Sequence, residues 1–331
     1  MKRLLQPKVI IPLILGLALL GALLAAADLK KVVGLMSNFR HLYLAFFLLL
    51  MGAYEAARGF QWHILLRALD LRVPLVGQIF AFALGEITKS LPIGNYFQNY
   101  VLQQAEGSDF GRSASASTMI VLIEVAVSLL GVVILGLGSW TSWLRPVIII
   151  GVLVFAVMIT LVYRLYHGAA GTPRWMSKNR HLCGVLDGLR TFREGTRDLL
   201  HPRVLTVPVL LGTLYLIIAG SGLFIVARGV GEDSLTFTQA LAAYFFSLAF
   251  SLIFPLPIDI GVAEVSGVGA LVALGVDRNA AISIMLVNRV LTLGASITIA
   301  MGTALVLHDE FALAFGRDKR AKSSEQAGSE G

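Results

Sequence analysis

The chain has 331 residues, of which 56% are hydrophobic and 14% charged, against about 25% charged in soluble globular domains. That deficit excludes an ordinary water-soluble fold and predicts a chain held almost entirely inside a bilayer. The single cysteine, Cys183, excludes an internal disulfide, no Cys/His group has zinc spacing, and no cofactor is expected; the net charge of +7 points to loops facing anionic headgroups rather than to nucleic acid.

In chain order, the first apolar run covers residues 9–27 behind Lys2, Arg3 and Lys8. Ala25-Ala26-Ala27 would suit a signal-peptide cleavage site, but the run is long for a signal core and more membrane follows, so an uncleaved span is predicted. Further spans are predicted at about 41–66, 113–138, 145–166, 204–227 and 280–307. Each is near or above the roughly 20 residues a helix needs to cross a bilayer core. Two apolar stretches do not fit a simple span. Residues 75–102 are broken at Leu91-Pro92-Ile93-Gly94, and residues 238–274 at Phe254-Pro255-Leu256-Pro257-Ile258-Asp259-Ile260-Gly261. Proline removes a helix donor and clashes with the preceding turn, so each stretch reads as a re-entrant helical hairpin with its tip at membrane depth. The expected fold is an all-α polytopic membrane protein: about six full spans plus two re-entrant helical hairpins.

Charge sets the expected topology. Arg164, Arg174, Lys178, Arg180, Arg190, Arg193, Arg197 and Arg203 gather in the basic segment 164–203, which is therefore cytoplasmic. The N-terminus and the tail with Arg317, Lys319, Arg320 and Lys322 then also lie inside, and the loop at 229–235 outside. Lys30, Lys31 and Arg40 fall outside, against the rule. Within the basic segment, Leu182, Val185, Leu186, Leu189, Phe192 and Leu199 share one helical face and Arg190, Arg193 and Arg197 another, which fits either an interfacial helix or a solvated connector. Residues 1–307 form the membrane domain, and the polar residues 308–331 are expected to be a disordered cytoplasmic tail.

The halves at about 40–138 and 203–302 resemble each other. Leu91-Pro92-Ile93 and Leu256-Pro257-Ile258 are 165 positions apart, as are Glu124 and Arg289. Ala56-Ala57-Arg58-Gly59 and Val226-Ala227-Arg228-Gly229 lie in roughly corresponding spans. One hairpin enters from the cytoplasm and the other from outside, so the pattern predicts an inverted repeat with the site at the repeat interface.

Ionisable groups at membrane depth cost about 2.5–3.5 kcal/mol each on insertion scales and need a reason. Those found are Glu55, Arg58, Glu86, Lys89, Glu124, Asp259, Glu264 and Arg289. Glu55 and Arg58 are spaced to pair on one helix turn. Lys89 lies just before one tip, and Asp259 and Glu264 flank the other. Half-helices starting after Gly94-Asn95 and after Gly261 would aim free N–H groups at an anion. Arg289 suits a phosphate, with Glu124 or Glu264 as a structural partner and Glu86 as a further charge partner. His63 reads as a packed or interfacial residue.

The run from Phe254 to Glu264, followed by Leu274-Gly275-Val276, Ala280-Ala281 and Val287-Asn288-Arg289, resembles a known signature. A Pro-rich tip, a Gly, a Glu three residues on and an Arg in the last span are similar to the C-terminal part of the lysylphosphatidylglycerol synthase transmembrane (flippase-like) family. The resemblance covers roughly residues 10 to 307. The first half departs from it: Tyr96, Phe97 and Tyr100 stand where the family often has a Gly-Glu pair and an Arg, and Val125 stands where an Arg often follows the Glu. The family includes the membrane portion of the multiple peptide resistance factors, which translocate aminoacylated phosphatidylglycerol, and members linked to glycosylation, polyprenyl or hopanoid lipids. The resemblance implies a translocase of the cytoplasmic membrane for a phospholipid or polyprenyl-linked lipid, with Gly261, Glu264 and Arg289 as matching positions. No soluble aminoacyl-transfer domain is read here, so no enzymatic activity is expected. The rival readings are an intramembrane lipid-modifying enzyme using Glu264 or Asp259, and an accessory subunit partnering a lipid glycosylation enzyme.

Overall fold

The computed structural model describes residues 30, 34, 37, 39–88, 96–136, 149, 152–153, 156–157, 160, 180–253 and 261–329. Among these residues the secondary structure is helical, in the order α1 (His41–Ala68), α2 (Leu75–Thr88), α3 (Phe97–Glu106), α4 (Phe110–Gly136), α5 (Arg180–Leu199), α6 (Pro202–Gly229), α7 (Phe237–Ile253), α8 (Val262–Ala273) and α9 (Arg278–Ser329). Four helices are long and apolar enough to cross a membrane: His41–Ala68, Phe110–Leu135, Pro202–Gly229 and Arg278–Leu307. They coincide with the second, third, fifth and sixth expected spans. The first expected span lies outside the described residues. Of the fourth, only scattered helical residues between 149 and 160 are described.

The helix ends follow from local chemistry. At the end of α1, Asp70 takes a left-handed φ of 55°, and the amides of Asp70 and Leu71 bond to the carbonyls of Arg67 and Leu66. This closes a Schellman motif, in which two carbonyls of the last turn gain partners. Helix α6 ends the same way through Gly231, with Glu232 bonding back to Ala227. Helices α3 and α8 also end on left-handed glycines, Gly107 and Gly275. The first and third helices of each half thus stop at a residue with positive φ.

The shorter helices form two pairs. Helix α2 packs on α3 and α7 on α8, and the chain joining each pair, 89–95 and 254–260, lies outside the described residues. Packing repeats between the halves: α2 lies on α9 as α7 lies on α4, α3 touches α4 as α8 touches α9, and α1 touches α4 as α6 touches α9. Helices α1 and α6 lie side by side at the centre of this exchange. One apolar cluster joins α1, α6, α7, α8 and α9 around Phe47, Tyr215, Leu223, Leu271 and Ile284. A second joins α1, α2, α3, α4 and α5 around Trp62, Leu65, Leu102, Ile120 and Leu199. Large apolar residues such as Leu49, Leu210, Val290 and Leu305 stay exposed, as lipid-facing positions should.

Helix α5 docks across the start of α4. Arg112 bonds to Asp198 at 3.1 Å and the Thr191 hydroxyl donates to Asp109 at 2.9 Å. Gly111 permits the approach, since a side chain there would strike Thr191 and the carbonyl of Gly188. Helix α9 runs on to Ser329, through the polar residues 308–329 for which the sequence predicts disorder. Ala, Lys, Arg, Glu and Gln in that stretch are good helix formers, so a helix once started can propagate through it.

Candidate functional site

Helix α1 carries Arg58 about 15 Å from its C-terminal end, at 1.5 Å per residue. That places a guanidinium at membrane depth, where it must be paired. It bonds to Glu86, in the last turn of α2, and its Nε reaches Glu124 of α4 at 3.3 Å. The hydroxyl of Tyr215, on α6, donates to the same Glu124 oxygen at 3.0 Å. Tyr54 stacks edge-on against the Tyr215 ring, with centroids 5.4 Å apart. All five residues are buried, so α1, α2, α4 and α6 are tied together by one polar cluster. Glu55, one residue along from Tyr54, accepts a 2.5 Å bond from Ser296 of α9.

A second ion pair lies in the other half. Glu264, in the first turn of α8, meets Nε of Arg289 on α9 at 3.1 Å. Its other oxygen accepts the Gly261 amide at 2.6 Å, so the carboxylate caps the helix while it holds the arginine. Gly261 has a φ of 98°, which a side-chain-bearing residue would adopt only with strain. Glu264 is almost fully buried at 2%, whereas the Arg289 side chain keeps 24% exposure.

The halves share a layout here too. Asn99 and Glu264 are 165 positions apart, as are Glu124 and Arg289. Asn99 is fully buried and donates to Ser117 of α4 at 2.8 Å, bonding α3 to the span that follows it as Glu264 bonds α8 to α9.

Of the residues singled out in the sequence, Gly261, Glu264 and Arg289 come together. Arg289 takes Glu264, one of its two expected partners, while Glu124 and Glu86 converge on Arg58. The described bonds of Arg58 go to other helices, and that of Glu55 goes to Ser296, instead of linking neighbours on one turn. Lys89, Gly94, Asn95 and Asp259 lie outside the described residues. Tyr215, Ser296 and Asn99 were not anticipated; their only signal is a polar side chain in a helix that packs against others. Among the described residues no group of His, Cys, Asp and Glu is placed to hold a metal.

Helices α1, α2 and α9 enclose a cavity of about 570 Å³. Ile79, Phe82, Ile299 and Ala300 supply apolar wall, Glu55 and Glu86 lie toward one end, and His63 and Arg67 toward the other.

Residues 9–300 match the family described as the lysylphosphatidylglycerol synthase TM region. The chain belongs to that family. Comparison with curated proteins finds none that matches. Membership in the lysylphosphatidylglycerol synthase TM family, together with the four membrane-length helices, makes this a multi-pass membrane protein related to lipid handling. The matched stretch takes in the α2/α3 and α7/α8 pairs and both ion clusters, and no soluble domain is evident among the described residues.

Proposed function

We propose that the chain translocates an anionic phospholipid or lipid-linked substrate across the cytoplasmic membrane, and that α2/α3 and α7/α8 are re-entrant hairpins of an inverted repeat. The observation that carries this reading is Arg289. A charged residue at membrane depth is ion-paired at 3.1 Å with a carboxylate that also caps α8, and its side chain remains partly exposed. Such a guanidinium is preorganised for a phosphate, which it can grip with two parallel bonds. The exchange of helix contacts between the halves supports the repeat, because in transporters of this kind the substrate site lies where two such halves meet. Lys89, Gly94 and Asn95 at one tip, and Asp259 at the other, would complete the headgroup site. No covalent change to the lipid is part of the proposal.

Purified protein in proteoliposomes containing a headgroup-labelled phosphatidylglycerol tests it. Label should exchange between leaflets and be recovered chemically unchanged by mass spectrometry. Arg289→Lys should retain the fold but slow exchange, since lysine lacks the two-pronged grip, and Arg289→Ala should abolish it. Full exchange by a double Arg289→Gln, Glu264→Gln variant would show that the pair is only structural. Recovery of a modified lipid would favour the enzymatic reading instead.

A further inference from the structure

We infer that Glu86 is a proton-binding site that couples proton movement to the moving headgroup; the coupling rests on the translocase reading. Glu86 stands near the end of α2, is 7% exposed and pairs with Arg58 of α1. Two spaces meet at it. One is the cavity of about 570 Å³ between α1, α2 and α9, large enough for several waters. The other measures about 10 Å³, room for about one water, and its lining includes Arg58, Gln98 and Ser117. Among the described residues only Glu86 lines both. A carboxylate set between a wide cavity and a water-sized polar space can take a proton from one side and give it up to the other.

The charge balance of the cluster gives a proton reason to bind. Arg58 keeps its charge at any physiological pH, and two buried carboxylates, Glu86 and Glu124, share it. With both ionised, the trio carries a net negative charge in a low-dielectric interior. With one proton added it is neutral, and the unbalanced charge is the costlier state to bury. Geometry selects the carboxylate. Glu124 is held by Arg58 Nε at 3.3 Å and by the Tyr215 hydroxyl at 3.0 Å, and it lines neither space. A proton arriving through water therefore meets Glu86. Around Glu86, α1 also presents Glu55, bonded to Ser296, and farther along the cavity His63 and Arg67. Helix α9 presents the neutral Ser296 and Thr303, α3 the neutral Gln98, and Tyr54 packs on Tyr215 in the same cluster. Lys89, three residues along the chain, lies outside the described residues.

Loading is a single transfer. A hydronium ion in the cavity gives its proton to a Glu86 oxygen, an O–H bond forms, and the ion pair with Arg58 is lost while Arg58 stays paired with Glu124. Release passes the proton to water and restores the pair. Because that pair ties α2 to α1, loading frees the helix that leads into residues 89–95. One proton carried with one anionic headgroup moves no net charge, so the membrane potential does not oppose the step.

Infrared difference spectroscopy between acid and alkaline pH, on the purified full chain, tests the site. Acidification should produce the C=O band of a buried protonated carboxyl group. The band should vanish in Glu86→Gln and survive in Glu55→Gln, and Glu86→Asp, which keeps the acid, should retain a titrating band. A band unchanged by Glu86→Gln, or removed by Glu55→Gln instead, would overturn the site. The coupling is tested in the proteoliposomes with labelled phosphatidylglycerol, under a pH gradient at zero membrane potential. Label should accumulate in the leaflet facing the alkaline side, by up to about tenfold per pH unit for one proton per lipid, and Glu86→Gln should show no such bias. Exchange by the parent that ignores the gradient would overturn the coupling and leave translocation standing. No exchange at all would sink translocation and the coupling with it, while the infrared band decides the proton site by itself.

Discussion

Arg58 is the most constrained residue of the first half, a single guanidinium between two buried carboxylates from different helices. Removing it leaves Glu86 and Glu124 facing each other in a low-dielectric interior, and breaking a buried pair in this way costs about 3–5 kcal/mol. Arg58→Ala should therefore lower the melting temperature in detergent sharply, and adding Glu86→Gln and Glu124→Gln should restore much of it. A single Arg58→Ala variant that melts like the parent would show the cluster to be energetically idle. The sequence disclosed which residues are anomalous here but not who pairs with whom. Burial cost makes any membrane-depth charge conspicuous, so Arg58, Glu86, Glu124, Glu264 and Arg289 are all visible in the chain. Partners are another matter: Glu86 and Glu124 are 28 and 66 residues from Arg58, and only the fold brings them near. Glu264 and Arg289 were easier, because one sits at the start of α8 and the other on the span that follows it.

At the scale of elements, long apolar runs and prolines mark the four spans and the interruptions between α2 and α3 and between α7 and α8, since backbone groups at membrane depth leave the chain few options besides helix. The extent of α9 was less legible, because residues 308–329 are polar enough for disorder and helical enough in propensity to continue. Helix α5 shows the same limit. Its amphipathic pattern was plain, yet the pattern does not say what its apolar face covers. Part of that face covers α4: Thr196 and Leu199 are buried, while Leu189 remains 59% exposed. Docking depends on close approach at Gly111 more than on the Arg112–Asp198 pair, which is solvent-accessible and worth at most about 1 kcal/mol. Gly111→Leu should push α5 away, costing roughly 1–3 kcal/mol by overpacking, and should speed tryptic cleavage at Arg190, Arg193 and Arg197. Arg112→Ala should leave the cleavage rate close to that of the parent. Equal rates for both variants and the parent would mean that α5 is not held by this contact.

At the scale of the whole molecule, the packing gathers basic residues at one end of the bundle. Leu69 and Leu199 share an apolar cluster with Val204 packed against it, so the end of α1, the end of α5 and the start of α6 lie together. Arg67, Arg72, Arg112, Arg197 and Arg203 belong to that end by sequence proximity. At the opposite end the amide of Arg40 bonds to the Gly229 carbonyl at 3.1 Å, and Arg228 is matched by Asp233 at 2.8 Å. Arg40 thus joins an end whose α6–α7 loop carries Glu232 and Asp233. Lysine and arginine bias, not net charge, sets orientation, and the richer end should be cytoplasmic. With the α5 end inside, α2 starts from the cytoplasm and α7 from outside, and the proposed inverted repeat requires only that the two ends lie on opposite sides. Single-cysteine variants, made after Cys183→Ser, test it in intact cells with a membrane-impermeant thiol reagent. Cysteine at position 233 should be labelled from outside, whereas cysteine at position 106 or 190 should react only after the membrane is permeabilised. Labelling at 190 in intact cells would reverse the topology, and labelling at both 190 and 233 would place the two ends on the same side and remove the inverted repeat.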